Sequence, residues 1–386
     1  MNVKITAVKL FYVPVRFLFV KVETDEGISG WGEPLVEGRA ATLEACVKEW
    51  SQILIGQDPL KIEYLWQTMY RRAFYRGGAV MMSAISGIDQ ALWDIKGKYY
   101  GVPVYELLGG AVKKKIKVYR TLQSNVKSEM VEDARLGAQQ GYKLLKFTPP
   151  SPVHFVDSFA KVDEILDCAE ALRNAVGDGV DLAMDFHGRI HKPMTKTLLK
   201  ELEPYRLAFV EEAVIPTNNE ALRQLSERSS IRLATGERMY SRWDFRPLLE
   251  SGCIDIVQPD ISHAGGLSES RRIATMAEAY DVALAPHCPL SVVAFAASVQ
   301  LDAMSENAVF QEQKVCIHDV SAQNPNFKWI KDPEGTFAYR DGFMDIPTKP
   351  GLGIEIDEEA VEEANRTPHN WKNPLWETED GTPIEW

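Results

Sequence analysis

From residue 116 onward, short apolar runs rich in β-branched residues alternate with longer stretches in which apolar residues recur at every third or fourth position. The short runs are IKVYR (116–120), KLLKF (143–147), VDLAMDF (180–186), LAFVEE (207–212), IRLATGE (231–237), IDIVQPD (254–260), DVALAPH (281–287) and NAVFQEQ (307–313), eight candidate strands at intervals of about 25 residues. Between them lie SEMVEDARLGAQQG, VDEILDCAEALRNAVG and SESRRIATMAEAY, amphipathic helix patterns that often close at glycine. Strand–helix alternation of this length specifies βαβ units and a parallel sheet. Eight such strands close into a barrel of the TIM type. The class is therefore α/β.

The first 115 residues follow another pattern. KITAVKLFYV and FLFVKVETDEGISGWGEP alternate as strands on either side of Pro14, and helical segments follow, ATLEACVKEWSQIL and AVMMSAISGIDQALWDIKGKYYG among them. The pattern divides the chain into an α+β module (1–115), a barrel (116–350) and a C-terminal segment (351–386). The aromatic tail, with WKNPLW and the final Trp386, is expected to pack back on the first module.

Strand phase locates candidate chemistry. Side chains at i and i+2 share a face, so Ala183, Asp185 and His187 point one way while Leu182, Met184 and Phe186 point toward the helices. The polar pair comes last, at the carboxyl end of the strand, where barrel active sites are built. Five further runs also end on an ionisable residue: Glu211, Glu237, Asp260, His287 and Glu312. Any one of them is more often a cap or turn former. Six on one rim form a mouth. A cluster of carboxylates there is costly unless protonated or paired with a cation. Asp185, Glu211 and Glu237 fall at equal intervals on neighbouring strands and offer oxygen donors only, which suits Mg²⁺ and tolerates Mn²⁺. His154, His191, His263, His318 and His369 are assigned to packing.

Composition narrows the function classes. The 386 residues carry 43 basic and 55 acidic side chains, a net charge of −12, which argues against nucleic acid or an anionic membrane as partner. The five cysteines form no CxxC pair, so a reducing, cytoplasmic setting is expected. No signal-peptide pattern opens the chain. The longest apolar run, LSVVAFAASV, is about half of the ~20 residues that a membrane span needs.

These residues resemble the enolase superfamily, mandelate racemase subgroup, D-galactonate dehydratase-like branch. The resemblance rests on DFHGR (185–189), VEEAV (210–214), GERMYSRWDF (236–245), QPDISHAGGLSE (258–269), MAEAYDVALAPHCPL (276–290), QEQ (311–313) and KPGLGIEIDEE (349–359), with GWGEP (30–34) and the final PIEW extending it nearly end to end. It implies a (β/α)7β modified TIM barrel with an N-terminal capping domain, and a homo-oligomer. It also implies Mg²⁺ held by Asp185, Glu211 and Glu237, and His287 as base paired with Asp260. His187 would be the general acid, and Glu312 would hydrogen-bond the enediolate oxygen. The reaction implied is dehydration of a sugar acid to the 2-keto-3-deoxy acid. Many racemases of this family place a Lys-x-Lys pair on the second strand; here the segment resembles it only as Lys146-Phe147-Thr148, so a second base is missing, which favours elimination over racemisation.

The specificity shell departs from that branch. Thr148 stands where it usually carries Asn, and YRTLQSN (119–125) replaces a Gly-rich segment. Ala213, PLSVVAFAA (289–297) and KVCIHDV (314–320) also differ. A 2R acid is implied, D-galactonate or D-gluconate among them. A racemase or cycloisomerase on the same scaffold, or a catalytically silent sugar-acid-binding protein, stay open. The turn at Pro14–Phe17 and the segment Tyr75–Gly78 are expected nearest the substrate.

Overall fold

The structure is a computed structural model that describes residues 3–72, 74–216, 218–321 and 323–385, so Trp386 lies outside the described residues. Strands β1 (Ile5–Val13), β2 (Phe17–Thr24) and β3 (Ser29–Gly32) form an antiparallel sheet in that order. Helices α1 (Ala40–Leu54), α2 (Ile62–Arg72) and α3 (Ala79–Tyr100) pack with it. The glycines of GWGEP explain how closely: a Cβ at Gly30 or Gly32 would lie 2.0 Å from the carbonyl oxygen of Ala91 or Gly87 on α3. A short helix, α4 (Val104–Leu107), leads into the barrel.

The barrel strands are β4 (Lys115–Thr121), β5 (Leu144–Phe147), β6 (Asp181–Asp185), β7 (Val210–Glu211), β8 (Leu233–Thr235), β9 (Ile256–Val257), β10 (Ala283–Leu284) and β11 (Gln311–Gln313). Each of the eight sequence runs overlaps one, β4 extending one residue beyond its run at either end. The intervening helices are α5 (Lys127–Gln139), α6 (Phe159–Val176), α7 (Lys192–Leu202), α8 (Asn219–Ser226), α9 (Arg242–Glu250), α10 (Gly266–Ala279) and α11 (Val292–Met304). Side-chain caps start several of them: Ser158 for α6, Asn218 for α8 and Ser291 for α11 accept from backbone N–H groups of the first turn. Parallel pairing runs from β4 to β10, β11 pairs with β4, and a Leu284–Ala308 bridge closes the ring. Seven helices among eight strands make the fold (β/α)7β.

The predicted strand phase is correct. Tyr119, Leu144, Ala183, Phe209, Ala234, Ile256 and Ala285 fill the barrel interior, with Phe310 against them. Small residues interleaved with large ones let the layer fill without a gap, as a closed barrel requires. Leu182, Met184 and Phe186 join the outer core beneath the helices. After β11 the chain adds β12 (Tyr339–Arg340) and β13 (Phe343–Asp345), the latter antiparallel to the start of β4. Helix α12 (Glu358–Asn365) then lies on β1, where Asn365 accepts from the Tyr12 N–H at 2.8 Å. The last hairpin, β14 (Trp376–Glu377) and β15 (Pro383–Ile384), instead touches the barrel: the Arg189 guanidinium stacks on Trp376. The tail thus serves two partners where the sequence suggested one. No helix among the described residues is long and apolar enough to cross a membrane.

Cap and barrel meet through buried polar groups of α3 and β3. Asp89 accepts from Ser268 N–H and Oγ at 3.0 and 2.5 Å; Glu33 accepts from Ser291 and Ala294 N–H at 3.3 and 3.1 Å. Burial pushes both carboxyls up to about 7 despite these donors. A raised carboxyl binds its proton more tightly in the folded state, so its stabilisation is full below its unfolded value, near 4, and is lost as pH rises through 7. Urea unfolding of the metal-free protein at pH 5 and pH 8 is expected to show a drop on the order of a few kcal/mol. Asp89→Asn, which keeps an acceptor for Ser268 N–H, should flatten part of that slope.

Candidate active site

The carboxyl ends of the strands carry the ionisable side chains to one mouth. Asp185 and Glu211 are direct neighbours in the parallel ladder of β6 and β7. Alternation beyond Ala234, which faces the interior, would send Gly236 inward and Glu237 out. Gly236 adopts φ +141°, and a Cβ there would meet the Phe245 ring at 2.7 Å, so the kink belongs to glycine. It turns Glu237 into the mouth. His187 holds a left-handed φ of 55°, pinned by its N–H to Asp185 Oδ1 at 2.7 Å and by the Gly188 N–H to the Glu212 carbonyl at 2.9 Å. Asp260 and His287 face each other across a parallel bridge between neighbouring strand ends.

These groups surround a cavity of about 450 Å³. At its floor lies Lys146, 2% exposed, with Nζ 2.6 Å from Glu211, 2.8 Å from Glu312 and 4.0 Å from Asp185. Burial alone would lower the Lys146 ammonium, yet these carboxylates hold it well above the usual lysine range. Burial pushes Glu211 up against the pull of Lys146; its second oxygen accepts from Gln258 at 2.7 Å. Glu312 accepts throughout, from Lys146 and Thr121 on one oxygen and from Cys288 N–H on the other. Burial opposes its charge, but Lys146 and His287 keep it below the usual range.

On the far wall His287 is clamped between two acids. Nδ1 lies 2.8 Å from Asp260 and Nε2 lies 2.9 Å from Glu237. Burial would lower this imidazole, but Glu237, Glu312 and the Asp260 hydrogen bond raise it well above the usual histidine range. The other oxygen of Glu237 is 3.9 Å from His187 Nε2. Two imidazoles therefore flank one carboxylate. His187 Nδ1 meets Arg189 Nη2 at 2.6 Å, which leaves Nε2 as the nitrogen facing the cavity. Behind them Glu212 is buried with a left-handed φ of 46°, and accepts from Thr235 and Gly236; burial pushes it up to about 7.

Of the seven residues singled out from the sequence, Asp185, His187, Glu237, His287 and Glu312 line this cavity, while Glu211 and Asp260 lie buried just behind it, against Lys146 and His287. Among the described residues, however, no group of three His, Cys, Asp or Glu is arranged to hold a metal ion as the side chains stand. Lys146 and Gln258 occupy the two oxygens of Glu211, and His287 occupies one oxygen of Glu237, that such an ion would need. The donor set itself fits a hard divalent cation: three neighbouring carboxylates, oxygen only, with Asp185 and Glu211 buried and a positive charge, Lys146, already beside those two.

Sequence reasoning missed several contributors. Lys146 lies in phase with Leu144 in the barrel interior, so the i+2 rule that found Asp185 also finds it. His263, assigned to packing, bonds Ser83 but also lines the cavity, 4.0 Å from Asp260; His154 is exposed rather than packed inside. The cap contributes Arg16, Val36, Glu37 and Ala79; Tyr75–Gly78 do not line the cavity, and Asn373 of the tail does. A larger cavity at the opposite barrel end, about 740 Å³, carries opposed arginines and aspartates but no histidine.

Lys146→Met would leave Glu211 and Glu312 buried without their cation. Breaking a buried charge cluster costs about 3–5 kcal/mol. Urea unfolding at pH 7 is expected to show that loss; an unchanged midpoint would mean that the carboxylates are not ionised around Lys146.

Comparison with known proteins supplies independent context. Residues 12–109 match the model of the mandelate racemase / muconate lactonizing enzyme N-terminal domain, and residues 129–360 match the enolase C-terminal domain-like family. A D-galactonate dehydratase of Variovorax paradoxus is 50% identical over 99% of this chain and 100% of its own length. One of Pectobacterium atrosepticum is 47% identical over the same shares. A solved structure from Agrobacterium radiobacter, described as a putative galactarate dehydratase with bound sodium and L-malate, superposes with a TM-score of 0.89 at 33% identity, covering 99% of each chain.

Proposed function

We propose a function from one premise: the chain belongs to the mandelate racemase / muconate lactonizing enzyme family of the enolase superfamily. The enzyme is a hydro-lyase that removes water from a sugar acid of the D-galactonate type to give the 2-keto-3-deoxy acid. Two full-length relatives carry D-galactonate dehydratase as their name. The observation that carries the reading is the pair of imidazoles on either side of Glu237, one backed by Asp260 and the other by Arg189. Dehydration needs a base for the α-proton and a separate acid for the β-hydroxyl, and two such groups face one cavity here.

Asp185, Glu211 and Glu237 are the residues proposed to hold Mg²⁺. Bound there, it would supply Lewis-acid neutralisation of the substrate carboxylate as that group gains enediolate character. With Glu237 engaged elsewhere, His287 keeps Asp260 on Nδ1 and has Nε2 free to take the α-proton. Asp260 fixes the ring and balances the imidazolium that forms. The enediolate oxygen needs a donor, and Glu312, implied by resemblance for that role, accepts on both oxygens; it would have to be protonated to donate. Lys146 carries mobile N–H donors and a fixed charge at the same place, so it takes that role in this reading. His187 Nε2 then protonates the departing β-hydroxyl, water leaves, and the enol tautomerises to the ketone. In this reading the chain works in the cytoplasm as a homo-oligomer; its five cysteines are all unpaired.

A stereochemical library of sugar acids assayed with Mg²⁺ for 2-keto acid formation tests the reading. Turnover of 2R acids, abolished by EDTA and restored by Mg²⁺, is expected; failure of every 2R acid would count against it. With the substrate so found, His187→Asn should still exchange the α-proton with solvent deuterium while losing dehydration by about 10²-fold or more. His287→Asn should lose both, and exchange that survives it would remove His287 as the base.

A further inference from the structure

We propose that the C-terminal hairpin β14–β15 is a positioning element of the active site, in which Trp376 and Glu385 hold His187 through Arg189 and Arg238. The inference rests on the role proposed above for His187 and extends it to a part of the chain remote from the barrel in sequence.

The two anchors lie at the open end of the hairpin. Trp376 pairs with Ile384, so Glu385 follows directly beside it, while the chain turns around Asp380 at the other end. Trp376 presents its ring to the Arg189 guanidinium, whose carbon lies 4.5 Å from the ring centroid. The same guanidinium meets His187 Nδ1 at 2.6 Å. The Nε of Arg189 is buried and has no hydrogen-bond partner among the described residues, so its orientation rests on the indole face and the imidazole, with the charges of Asp185 and Glu237 acting on it from the cavity side. Glu385 bonds Arg238 Nη1 at 2.5 Å, and Arg238 Nη2 donates to the His187 carbonyl at 3.1 Å. One arginine thus sets the ring and the other the main chain.

The local backbone is built for this arrangement. A Cβ at position 188 would lie 1.7 Å from Arg238 Nη2, so the arginine reaches the His187 carbonyl only over a glycine. His187 itself needs restraint, because its left-handed φ of 55° is unfavourable for a residue with a side chain. The ion pair of Glu385, with both side chains partly exposed, contributes little to folding stability. Its consequence is geometric: without the hairpin the ring loses its side-chain partner and its loop loses one tie.

The test compares Trp376→Ala, Glu385→Ala and Trp376→Phe with the full-length parent. Misplacement of a proton donor should lower dehydration about tenfold or more in Trp376→Ala, with α-proton exchange within about twofold of the parent and thermal unfolding unchanged. Trp376→Phe, which keeps an aromatic face, should restore most of the dehydration, and Glu385→Ala should show a smaller loss of the same kind. Parallel loss of exchange and dehydration, or loss of neither, would overturn the proposal. A readout independent of turnover is the ¹⁵N spectrum of histidine-labelled protein, with the His187 ring assigned from His187→Asn. Trp376→Ala should shift those ring nitrogens, and an unshifted ring would overturn the hairpin's role. A parent that processes no sugar acid but shows the shifted ring would instead sink the proposed function alone.

Discussion

The structure depends on how seven ionisable side chains, from six strand ends, are kept together at one end of a barrel. Like charges in a low-dielectric mouth repel, and desolvation penalises each carboxylate separately. Lys146 resolves much of this from below, with Glu211 and Glu312 on its ammonium and Asp185 at its edge. His287 does the same from the side, between Asp260 and Glu237. The mouth therefore carries its own counter-charges, and what a bound cation would have to displace is Lys146 and His287 rather than water. In the proposed mechanism that competition would link ion binding to catalysis, because His287 Nε2 now contacts Glu237 and would take up a proton only once that carboxylate is released.

Precision at the mouth comes from what lies below and above it. The interior layer of Tyr119, Phe209, Ile256 and the small residues between them fixes the strand ends from beneath. From above, α3 presents polar groups to the barrel where an amphipathic helix would present only apolar ones: Ser83, Gln90 and Asp89 bond His263, Ser262 and Ser268. Each of these bonds is buried, and a misplaced cap would leave both partners unsatisfied. Cap and barrel are consequently held in one relative position, and Arg16 and Glu37 reach the cavity from it.

Period and phase made much of this legible in the sequence. The eight barrel strands, the capping sheet and the inward set of each strand follow from alternation, and so do five of the six ionisable strand ends. Lys146 is equally legible by phase, although a lone lysine in an apolar run lacks the Lys-x-Lys spacing that would mark it as chemistry. Glu237 stood out by residue type, but its entry into the mouth depends on the φ of Gly236, which alternation alone does not supply. The contacts of the hairpin with Arg189 and Arg238, and the cap residues that line the cavity, depend on long-range packing between segments more than a hundred residues apart. No local pattern encodes them, which is why Tyr75–Gly78 were expected at the cavity and Asn373 was not.

The central claim is that Asp185, Glu211 and Glu237 act together as one cation site, and Mn²⁺ binding followed by electron paramagnetic resonance tests it most directly. The account expects one bound ion per chain in the unaltered protein, affinity weakened about tenfold or more in Glu211→Gln, and no loss in His187→Asn. An absence of bound Mn²⁺, or binding that Glu211→Gln leaves untouched, would contradict it.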